Sequence, residues 1–478
     1  MTPDDLIASP DRTACRASNP MVRLHARAAF SRQQITALPP EETATTANSP
    51  DVKHRKFKYF TGFYQMQCPR ECLKRYDVNN VECPPEWFGG RNEQIRESGV
   101  MEPIGNNVKI AFVHEWFTHF AGSEKVLGDM LGQFPQADIF SLVDVLPNDE
   151  SPDFLKVPVK TSFLQKIPFI QNFYRSLLPI FPFEIEQLDL SEYDLIISSS
   201  HAVAKGVITG PNQLHICYCH TPMRYAWDLQ NQYIVNSNMP LLLSWLARWQ
   251  LHKIRIWDVR TSNAVDFFIA NSDYIARRIY KFYRRQSTVI YPGVETDIFT
   301  IGPIRENYYL TASRMVPYKK IRIIVEAFNK MPEKQLVVIG SGPGLEQIKT
   351  IAGPNVEVMG HQPKSVLIEK MQAAKAFVFA AEEDFGIITV EAQACGTPVV
   401  AYAVGGSAET VVDGVTGVHF HQQTSSAICE AVRRFDAVSG DFDPYKIREH
   451  ALKFSTERFR QEFKAFVELK WAERRFTQ

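Results

Sequence analysis

The stretch AFVFAAEEDFGIITVEAQACGTPVVAY, residues 376–402, carries a complete strand–helix–strand pattern. AFVFAA is a short apolar run with the length of a buried strand, and Gly386 allows the sharp turn that follows it. IITVEAQAC then predicts a short helix, which Gly396 ends before the β-branched strand PVVAY. Parallel sheets covered by helices on both faces produce this alternation, so the stretch predicts an α/β fold.

The same alternation runs through most of the chain in two successive series. The first series begins at NVKIAFVH (107–114). The turn residues of TVIYPGVETDIF (288–299) interrupt it, and the second series restarts at YYLTASRM (308–315). We therefore predict two Rossmann-like, doubly wound α/β domains, residues 106–298 and 299–455, that face each other across a cleft.

The two ends of the chain differ from this pattern. Residues 1–105 predict a poorly structured extension, because the chain up to about residue 50 lacks sustained periodicity and is rich in proline, serine, threonine and arginine. Residues 55–100 have more aromatics, which leaves local folding there open. One hypothesis is that Met101 begins the working protein. Residues 456–478 predict a helix that crosses back to the first domain, because one helical face collects bulky apolar side chains. These are Phe459, Phe463, Phe466, Val467 and Trp471.

The composition favours a soluble cytoplasmic protein. Lys plus Arg and Asp plus Glu both number 53, which gives no indication of a nucleic-acid partner. No run of about 18 apolar residues predicts a membrane-spanning helix. The densest apolar stretch, MPLLLSWLARWQLHK (239–253), predicts a helix packed on its own domain. A helix lying on a membrane surface is the alternative, so peripheral contact with the inner membrane face stays open.

Two carboxylates flank the turn in the opening stretch. Glu383 follows the apolar run, at the sheet edge where open α/β folds bind ligands, and Glu391 lies one to two turns into the helix. The backbone amides of Gly386, Ile387 and Ile388 begin that helix and would attract an anion such as phosphate. Carboxylates bind hydroxyls and repel phosphate, so the arrangement suits a diphosphate flanked by two polyol groups, as in a sugar nucleotide. Taken alone, both acids fit equally well as solvated surface residues.

The loop SRMVPYKK (313–320), after the first strand of the second domain, supplies positive charge. Arg314 offers a bidentate fork and Lys319 a point charge, and together they could neutralise a leaving diphosphate without a metal. A basic surface loop is the structural alternative. The nearby GSGPG (340–344) is weak evidence for a phosphate loop and better fits a tight turn near the nucleoside.

The first domain contributes two further candidates at the ends of predicted strands. Gly122 lies in the loop HEWFTHFAGSEK (114–125), where amides at a helix start could meet the diphosphate from the other side. His220 ends another strand and could donate to a sugar hydroxyl, although a single histidine there is more often structural. The one Asp-x-Asp match, DFDP (441–444), precedes a helix where Asp443 fits an N-cap, so we predict no catalytic metal.

Together these residues resemble the family 4 glycosyltransferases, retaining enzymes with the two-Rossmann-domain GT-B fold. The most specific element is the E-x7-E motif of Glu383 and Glu391, and SRMVPYKK is similar to the family's phosphate-binding Arg and Lys. FIANSDYIARRIYKFY and VIYPGVETDIF look like the segment that links the family's two domains. The resemblance extends from about residue 108 to residue 472, and it implies an acceptor domain followed by a nucleotide-sugar-binding domain.

The resemblance also implies roles for single residues. Glu383 would contact donor-sugar hydroxyls near the reacting carbon, Glu391 would hold the ribose, and His220 matches the active-site histidine. The diphosphate would be bound by Gly122, Arg314, Lys319, Gly386, Ile387 and Ile388. In the usual mechanism of the family, the acceptor attacks from the face that the leaving group departs from, and a phosphate oxygen takes the acceptor's proton.

Two segments of the first domain, VHEWFTHFAGSEKVL and CHTPMRYAWD, look closest to the mannosyltransferases of bacterial O-antigen and exopolysaccharide assembly. In that branch the donor is usually GDP-mannose and the acceptor a glycan or a lipid-linked glycan. We therefore expect a retaining, metal-independent hexosyltransferase of surface polysaccharide synthesis, with no cofactor besides its donor. One departure is Ser123, because the branch commonly has glycine there and a serine adds a Cβ and a hydroxyl at the phosphate approach.

Two other classes of function stay open. A nucleotide-sugar epimerase or a glycosidase-like enzyme could use the same acid pair and would form product without an acceptor. A non-catalytic member that binds a nucleotide sugar for regulation or assembly is the third alternative, which Ser123 keeps open.

Overall fold

The protein is described here by a computed structural model that covers residues 104–105, 107–147, 158–237 and 239–475. The extension predicted over residues 1–105, and with it the alternative start at Met101, lies outside these ranges apart from its last two positions. Within them the chain forms two parallel sheets flanked by helices, which confirms the predicted α/β class.

Among the described residues, seven strands build the first sheet. They are β1 (Ile110–Phe117), β2 (Asp138–Asp144), β3 (Val159–Thr161), β4 (Leu195–Ser200), β5 (Leu214–Cys219), β6 (Phe267–Ala270) and β7 (Ser287–Val289). Their spatial order is β3-β2-β1-β4-β5-β6-β7, and all neighbouring pairs are parallel. The order reverses between β1 and β4, so the loops leaving these strands diverge and open a crevice at their carboxyl ends.

Burial on both faces explains why the central segments form strands. Every residue of β4 (LIISSS) and β5 (LHICYC) is buried, as expected for a parallel sheet between two helical layers. The α-helices of this domain, within the described ranges, are α1 (Gly122–Leu131), α2 (Phe181–Glu186), α3 (Gln230–Asn236), α4 (Leu241–Ser262) and α5 (Asp273–Tyr283).

The second sheet has six strands within the described part of the chain. They are β8 (Tyr308–Ala312), β9 (Gln335–Ile339), β10 (Val356–Gly360), β11 (Ala376–Phe379), β12 (Val399–Tyr402) and β13 (Gly417–Phe420). The order β10-β9-β8-β11-β12-β13 repeats the topology of the first sheet, again with parallel pairs and a reversal between the first and fourth strands. Its helices are α6 (Ile321–Asn329), α7 (Leu345–Ile351), α8 (Lys364–Ala373), α9 (Ile387–Ala394), α10 (Ser407–Thr410), α11 (Ser425–Ala437) and α12 (Pro444–Leu452).

The stretch over residues 376–402 folds as its pattern predicts. Strand β11, helix α9 and strand β12 follow one another, and the two strands are parallel neighbours. Gly386 begins the helix with φ +82° and Gly396 follows its end with φ +69°. Both values lie in the left-handed region, where glycine avoids the Cβ clash that other residues meet.

The last helix, α13 (Thr456–Arg475), returns from the second domain to the core of the first. Phe459, Phe463 and Val467 are fully buried there, in the same hydrophobic cluster as the central strands β1 and β5. The rings of Phe134 and Phe463 meet edge to face at 6.3 Å, a favourable aromatic geometry. The helix therefore completes the hydrophobic core of the first domain.

Helix α4 differs from its prediction in its first half. Its second half packs on the domain through Leu251 and Ile254, which are buried. The first half, beginning at Leu241, leaves its large apolar side chains exposed. In the described ranges, no helix combines the length and apolar character needed to cross a membrane.

Candidate active site between the two domains

A cavity of about 820 Å³ lies between the carboxyl ends of the two sheets. Its walls include the loops after β1, β4 and β5 of the first domain and those after β8 and β11 of the second. All nine residues predicted from the sequence lie on these walls. They are Gly122, His220, Arg314, Lys319, Glu383, Gly386, Ile387, Ile388 and Glu391. The structure thus places every sequence-predicted site residue in one cleft.

The Glu383 loop is held by the backbone of the loop that follows β12. The amide of Gly406 donates to the carbonyl oxygen of Glu383 at 2.8 Å, and Glu383 forms an isolated parallel bridge with Gly405. Helix α9 begins four residues later, at Ile387, so the amides of Ile387 and Ile388 have no partner within the helix. This end of α9 carries partial positive charge at the cavity wall.

Lys319 and Glu383 contact each other directly in the cleft. Lys319 ends a 3₁₀ turn over Pro317–Lys319 after β8, and its ammonium forms an ion pair with the Glu383 carboxylate. Desolvation lowers the pKa of Lys319 to about 8, assisted by repulsion from Arg224 and opposed by Asp384. The predicted phosphate-binding cation and the predicted sugar-binding acid are therefore neighbours.

Arg314 lies two residues after β8 and is exposed to the cavity. The glycine-rich loop after β9 supports its backbone from behind. Gly340 has φ +134°, and a Cβ there would lie 1.9 Å from the carbonyl oxygen of Ser313. The amide of Met315 donates to Ser341 at 2.8 Å. The glycines of GSGPG pack closely beneath the basic loop, against Ser313 and Met315.

Glu391 also lines the cavity, from the second turn of α9, beside a charge cluster that joins both domains. Lys125 of α1 pairs with Glu295 at 2.7 Å, and Lys364 of α8 contacts the same carboxylate. Desolvation raises the pKa of Glu391, while Lys125 and Lys364 act to lower it. The sequence analysis did not identify these lysines, although Lys125 lies in the first turn of α1, three residues after Gly122.

The start of α1 meets the start of α9 across the cleft. A Cβ built on Gly122 would lie 3.4 Å from the side chain of Ile387. Two helix N-termini thus point at one region of the cavity, which favours binding of an anion there. The Ser123 hydroxyl donates to Glu124 at 2.9 Å. The serine that departs from the expected glycine is therefore engaged within its own helix turn.

His220 directly follows β5 and faces the cavity as a neutral imidazole. Desolvation, with repulsion from His201 and His114, lowers the pKa of His220 to about 3. Its Nε2 lies 2.9 Å from the Ser199 hydroxyl, which orients the ring. A neutral imidazole at this place can exchange one hydrogen bond with a bound hydroxyl.

The structure adds a second cavity histidine, His201, which the sequence did not indicate. It pairs with Glu115 of β1, whose fully buried carboxylate lies 3.0 Å from the ring Nδ1. The other oxygen of Glu115 accepts from the amides of His201, Ala202 and Ala204 and from the Ser200 hydroxyl, at 2.8 to 3.2 Å. Desolvation opposes both charges, yet attraction within the pair raises the pKa of His201 and holds the pKa of Glu115 well below its usual range.

Contacts between the domains fix the floor of the cleft. Arg224, in the CHTPMRYAWD segment, forms an ion pair with Asp384, and its guanidinium also donates to the carbonyl oxygen of Glu382 at 3.0 Å. The Glu409 carboxylate accepts the first amides of α5, at 2.8 Å and 2.6 Å. These partners lie more than 130 residues apart in sequence, so no local pattern could have paired them.

Metal-binding geometry is not found in the described residues, where no group of three or more His, Cys, Asp or Glu side chains could hold an ion. Asp443, the acid of the DFDP match, caps α12 by accepting the amide of Tyr445 at 2.9 Å.

Two protein-family models match the chain in succession. The model described as Glycosyltransferase Family 4 matches residues 121–298, and the model described as Glycosyl transferases group 1 matches residues 295–437. The boundary between them falls in the segment between β7 and β8. Each model covers one of the two sheets for most of its extent.

Curated relatives match only over part of their length. A D-inositol 3-phosphate glycosyltransferase of Mycolicibacterium smegmatis is 31% identical over 219 residues, which cover 40% of this chain and 50% of that protein. A protein of the same description from Mycobacterium leprae is 34% identical over 177 residues, covering 32% of this chain and 41% of that one. The chain thus spans half or less of the length of these relatives.

Solved structures share the architecture. HepE of Anabaena in complex with UDP has a TM-score of 0.55 at 18% identity, covering 75% of this chain and 99% of that one. Sucrose-phosphate synthase of Thermosynechococcus elongatus has a TM-score of 0.59 at 18% identity, covering 76% and 100%. These similarities confirm the predicted fold, two Rossmann-like domains that face each other across a cleft in the GT-B arrangement.

Proposed function

We propose that this chain, which carries the two domains of a family 4 GT-B glycosyltransferase, transfers a hexose from a nucleotide sugar to a glycan or lipid-linked acceptor. The observation that carries the proposal is the convergence of two cations, two helix N-termini and two carboxylates in a cleft shared by both domains. We assign the acceptor to the first domain, residues 106–298, and the donor to the second, residues 299–455.

The donor diphosphate would lie between the two helix N-termini. Arg314 would bind it with a bidentate fork and Lys319 with a point charge. When the bond to the sugar breaks, negative charge grows on the leaving phosphate, and fixed donors at this place stabilise that charge without a metal. Binding would exchange the ion pair of Lys319 and Glu383 for one between Lys319 and phosphate. Glu383 would then be released to bind sugar.

The two carboxylates would bind the polyol groups on either side of the diphosphate. Glu383, in the loop before α9, would accept hydrogen bonds from hydroxyls of the donor sugar near the reacting carbon. Glu391, on the second turn of α9, would hold the ribose. The raised pKa of Glu391 suits a carboxyl that meets hydroxyls in a partly desolvated place, because hydroxyl donors recover part of the lost hydration.

The reaction would proceed with retention of the anomeric configuration. The bond from the sugar carbon to the phosphate oxygen breaks, and the acceptor oxygen forms its bond on the same face. The acceptor proton moves to the leaving phosphate oxygen, so the products are the glycoside and a nucleoside diphosphate. His220, neutral and oriented by Ser199, would hydrogen-bond the sugar or the acceptor rather than serve as a cation.

Mannose is the proposed sugar and GDP-mannose the proposed donor, on the resemblance of the two first-domain segments to mannosyltransferases of surface polysaccharide assembly. The Anabaena protein with the same fold was solved with UDP, so the test compares guanine and uracil as the nucleobase of the donor. A lipid-linked acceptor would place the protein at the cytoplasmic face of a membrane, in peripheral contact with it.

The test is a panel of GDP- and UDP-hexoses, incubated with lipid-linked and free glycan acceptors and analysed by NMR for the anomeric configuration. We expect acceptor-dependent transfer with retention, and a loss of at least about a hundredfold in Glu383→Gln, which cannot accept hydroxyls as a carboxylate does. Full activity of Glu383→Gln would overturn the assigned role. Nucleoside diphosphate or epimer formed without acceptor would favour the epimerase or glycosidase alternative, and binding without turnover the non-catalytic one.

A further inference from the structure

The first half of helix α4 presents an apolar face to solvent. We call the α4 face the five side chains that form it: Leu241, Leu242, Trp245, Leu246 and Trp249. Leu241 is 91% exposed, Leu242 76% and Trp245 64%. These are among the largest exposures of any large apolar side chain in the described residues. Isolated exposed leucines are ordinary, but a continuous set that includes two tryptophans marks an interaction surface.

Helical spacing brings these residues to one side. Successive residues turn by about 100° around an α-helix, so Leu241, Trp245 and Trp249 follow each other along one stripe with Leu242 and Leu246 beside it. Leu243, which is 50% exposed, lies on the opposite side of the helix. The helix holds this shape because its second half is anchored in the domain by Leu251 and Ile254. The α4 face therefore belongs to one continuous helix whose second half packs on the domain.

The charged residues in the sequence segment around the face are all positive. Residues 229–257 contain no aspartate or glutamate, yet they carry Arg248, Lys253 and Arg255. The chain as a whole has a formal net charge of zero, so this excess is local. Arg248 and Lys253 are exposed, and the Lys253 ammonium lies 5.5 Å from the Trp249 ring. Leucine and tryptophan on one side with cations beside them is the composition of helices that lie in an anionic lipid interface.

The face begins at the rim of the cleft. Tyr233 of α3 lines the cavity, and α4 begins eight residues later, at Leu241. The Arg248 guanidinium donates to the Asn231 side chain at 2.9 Å, which ties α4 to α3. A membrane that touched the α4 face would therefore bring its surface close to the cavity opening on the first-domain side.

From these observations we propose that the α4 face docks the protein on an anionic membrane surface, with the leucine and tryptophan side chains in the lipid interface and the cations at the headgroups. The consequence, delivery of a lipid-linked acceptor to the cleft, rests on the proposed function, whereas the docking does not. A second copy of the chain is a poorer occupant. A two-fold contact through this face would bring Arg248 and Lys253 of both copies together.

The experiment is sedimentation of the full chain with vesicles of phosphatidylcholine alone and with one quarter phosphatidylglycerol. We expect binding to the anionic vesicles, weakened by salt as the surface potential is screened. In Leu242→Glu/Trp245→Glu, binding falls by at least about tenfold, because two interface side chains become charged. Ile208→Glu is the matched control, since Ile208 is 63% exposed elsewhere on the first domain, and it should bind as the unaltered chain does.

Two further readouts separate the alternatives. Trp245→Phe/Trp249→Phe should remove the fluorescence component that shifts to the blue with anionic vesicles. If acrylamide fails to quench the fluorescence of these tryptophans in the absence of vesicles, a second copy or residues 1–103 cover the face. That result would overturn the proposal. The proposal is also overturned if the double glutamate variant still binds vesicles, or if the unaltered chain does not bind them. Turnover of a water-soluble acceptor should be unchanged in the double glutamate variant, so a failure of docking and a failure of the proposed function give different results.

Discussion

Glu115 and His201 form a pair whose pKa values depend on their buried surroundings. A fully buried carboxylate is costly unless donors surround it, and Glu115 has four of them besides the imidazole of His201. The buried carboxylate holds the His201 ring at the cavity wall and raises its pKa, which favours the protonated form. When it is protonated, His201 adds a positive group to the side of the cleft that belongs to the first domain.

The pair predicts a specific dependence of stability on pH. The pKa of His201 is raised above its unfolded value of 6.5, so its stabilising contribution is complete below pH 6.5 and is lost as pH rises through the folded pKa. Glu115, with a lowered pKa, stays ionised throughout this range. His201→Gln should therefore lower the free energy of unfolding by about 1–3 kcal/mol at pH 5.5 and by less at pH 8.5. Urea denaturation at both values measures it, and a difference independent of pH would contradict the pairing.

At the same scale, the sequence predicted which residues meet in the cleft but not how they contact one another. Gly386, Glu383 and Arg314 follow strands, and the carboxyl ends of parallel strands meet at one edge, so their convergence follows from pattern alone. The direct contact of Lys319 with Glu383, and the pair of Glu115 with His201, depend on side-chain packing between distant segments. No spacing rule contains that information.

Among the elements, the turn between β12 and α10 determines where the Glu383 loop lies. Gly405 has φ +83°, and a Cβ there would be 2.2 Å from the carbonyl oxygen of Glu383. Gly405→Ala therefore combines backbone strain with a displacement of the loop. We expect donor turnover to fall at least about tenfold, with a loss of about 1–3 kcal/mol in stability.

Gly414→Ala is the control for strain alone. Gly414 has a similar φ of +75°, but nothing lies within 4 Å of the added Cβ. The variant should lose about 1–2 kcal/mol of stability while its turnover stays close to that of the unaltered chain. Equal loss of turnover in both variants would contradict the role of Gly405 in placing Glu383.

The packing of helix α13 predicts that a substitution near the end of the chain destabilises the first domain. Phe463 is fully buried against Phe134, so Phe463→Ala leaves a cavity in that core and should lower the free energy of unfolding by about 3–5 kcal/mol. Lys464→Ala, one position on and exposed, should change it by less than about 0.5 kcal/mol. Chemical denaturation compares the two. Similar values for both would contradict the packing of α13.

The helices and strands were the level of structure that the sequence predicted best. The alternation of strand and helix predicted two parallel sheets, because the apolar runs and glycine turns recur throughout both domains. The exposed half of α4 was the exception, since an apolar run predicts burial and only the three-dimensional structure shows which runs find a partner.

For the whole molecule, the two domains are joined by contacts at the floor of the cleft. Arg224→Ala removes the ion pair with Asp384 and the bond to the Glu382 carbonyl, so the domains should separate more easily. We expect a larger radius of gyration in small-angle scattering and weaker donor binding. Arg277→Ala, an exposed arginine on α5, is the control and should leave both unchanged. An unaltered radius of gyration in Arg224→Ala would contradict the role of these contacts.

The central claim is that the cleft binds a nucleotide sugar by its diphosphate, through the basic loop after β8. The most direct measurement is calorimetric titration of GDP-mannose and UDP-glucose into the unaltered chain and into Arg314→Ala/Lys319→Ala. We predict binding of at least one donor by the unaltered chain and a loss of at least about a hundredfold in the double variant, since both charge-assisted contacts to the diphosphate are gone. Donor affinity equal in the two proteins would contradict the account.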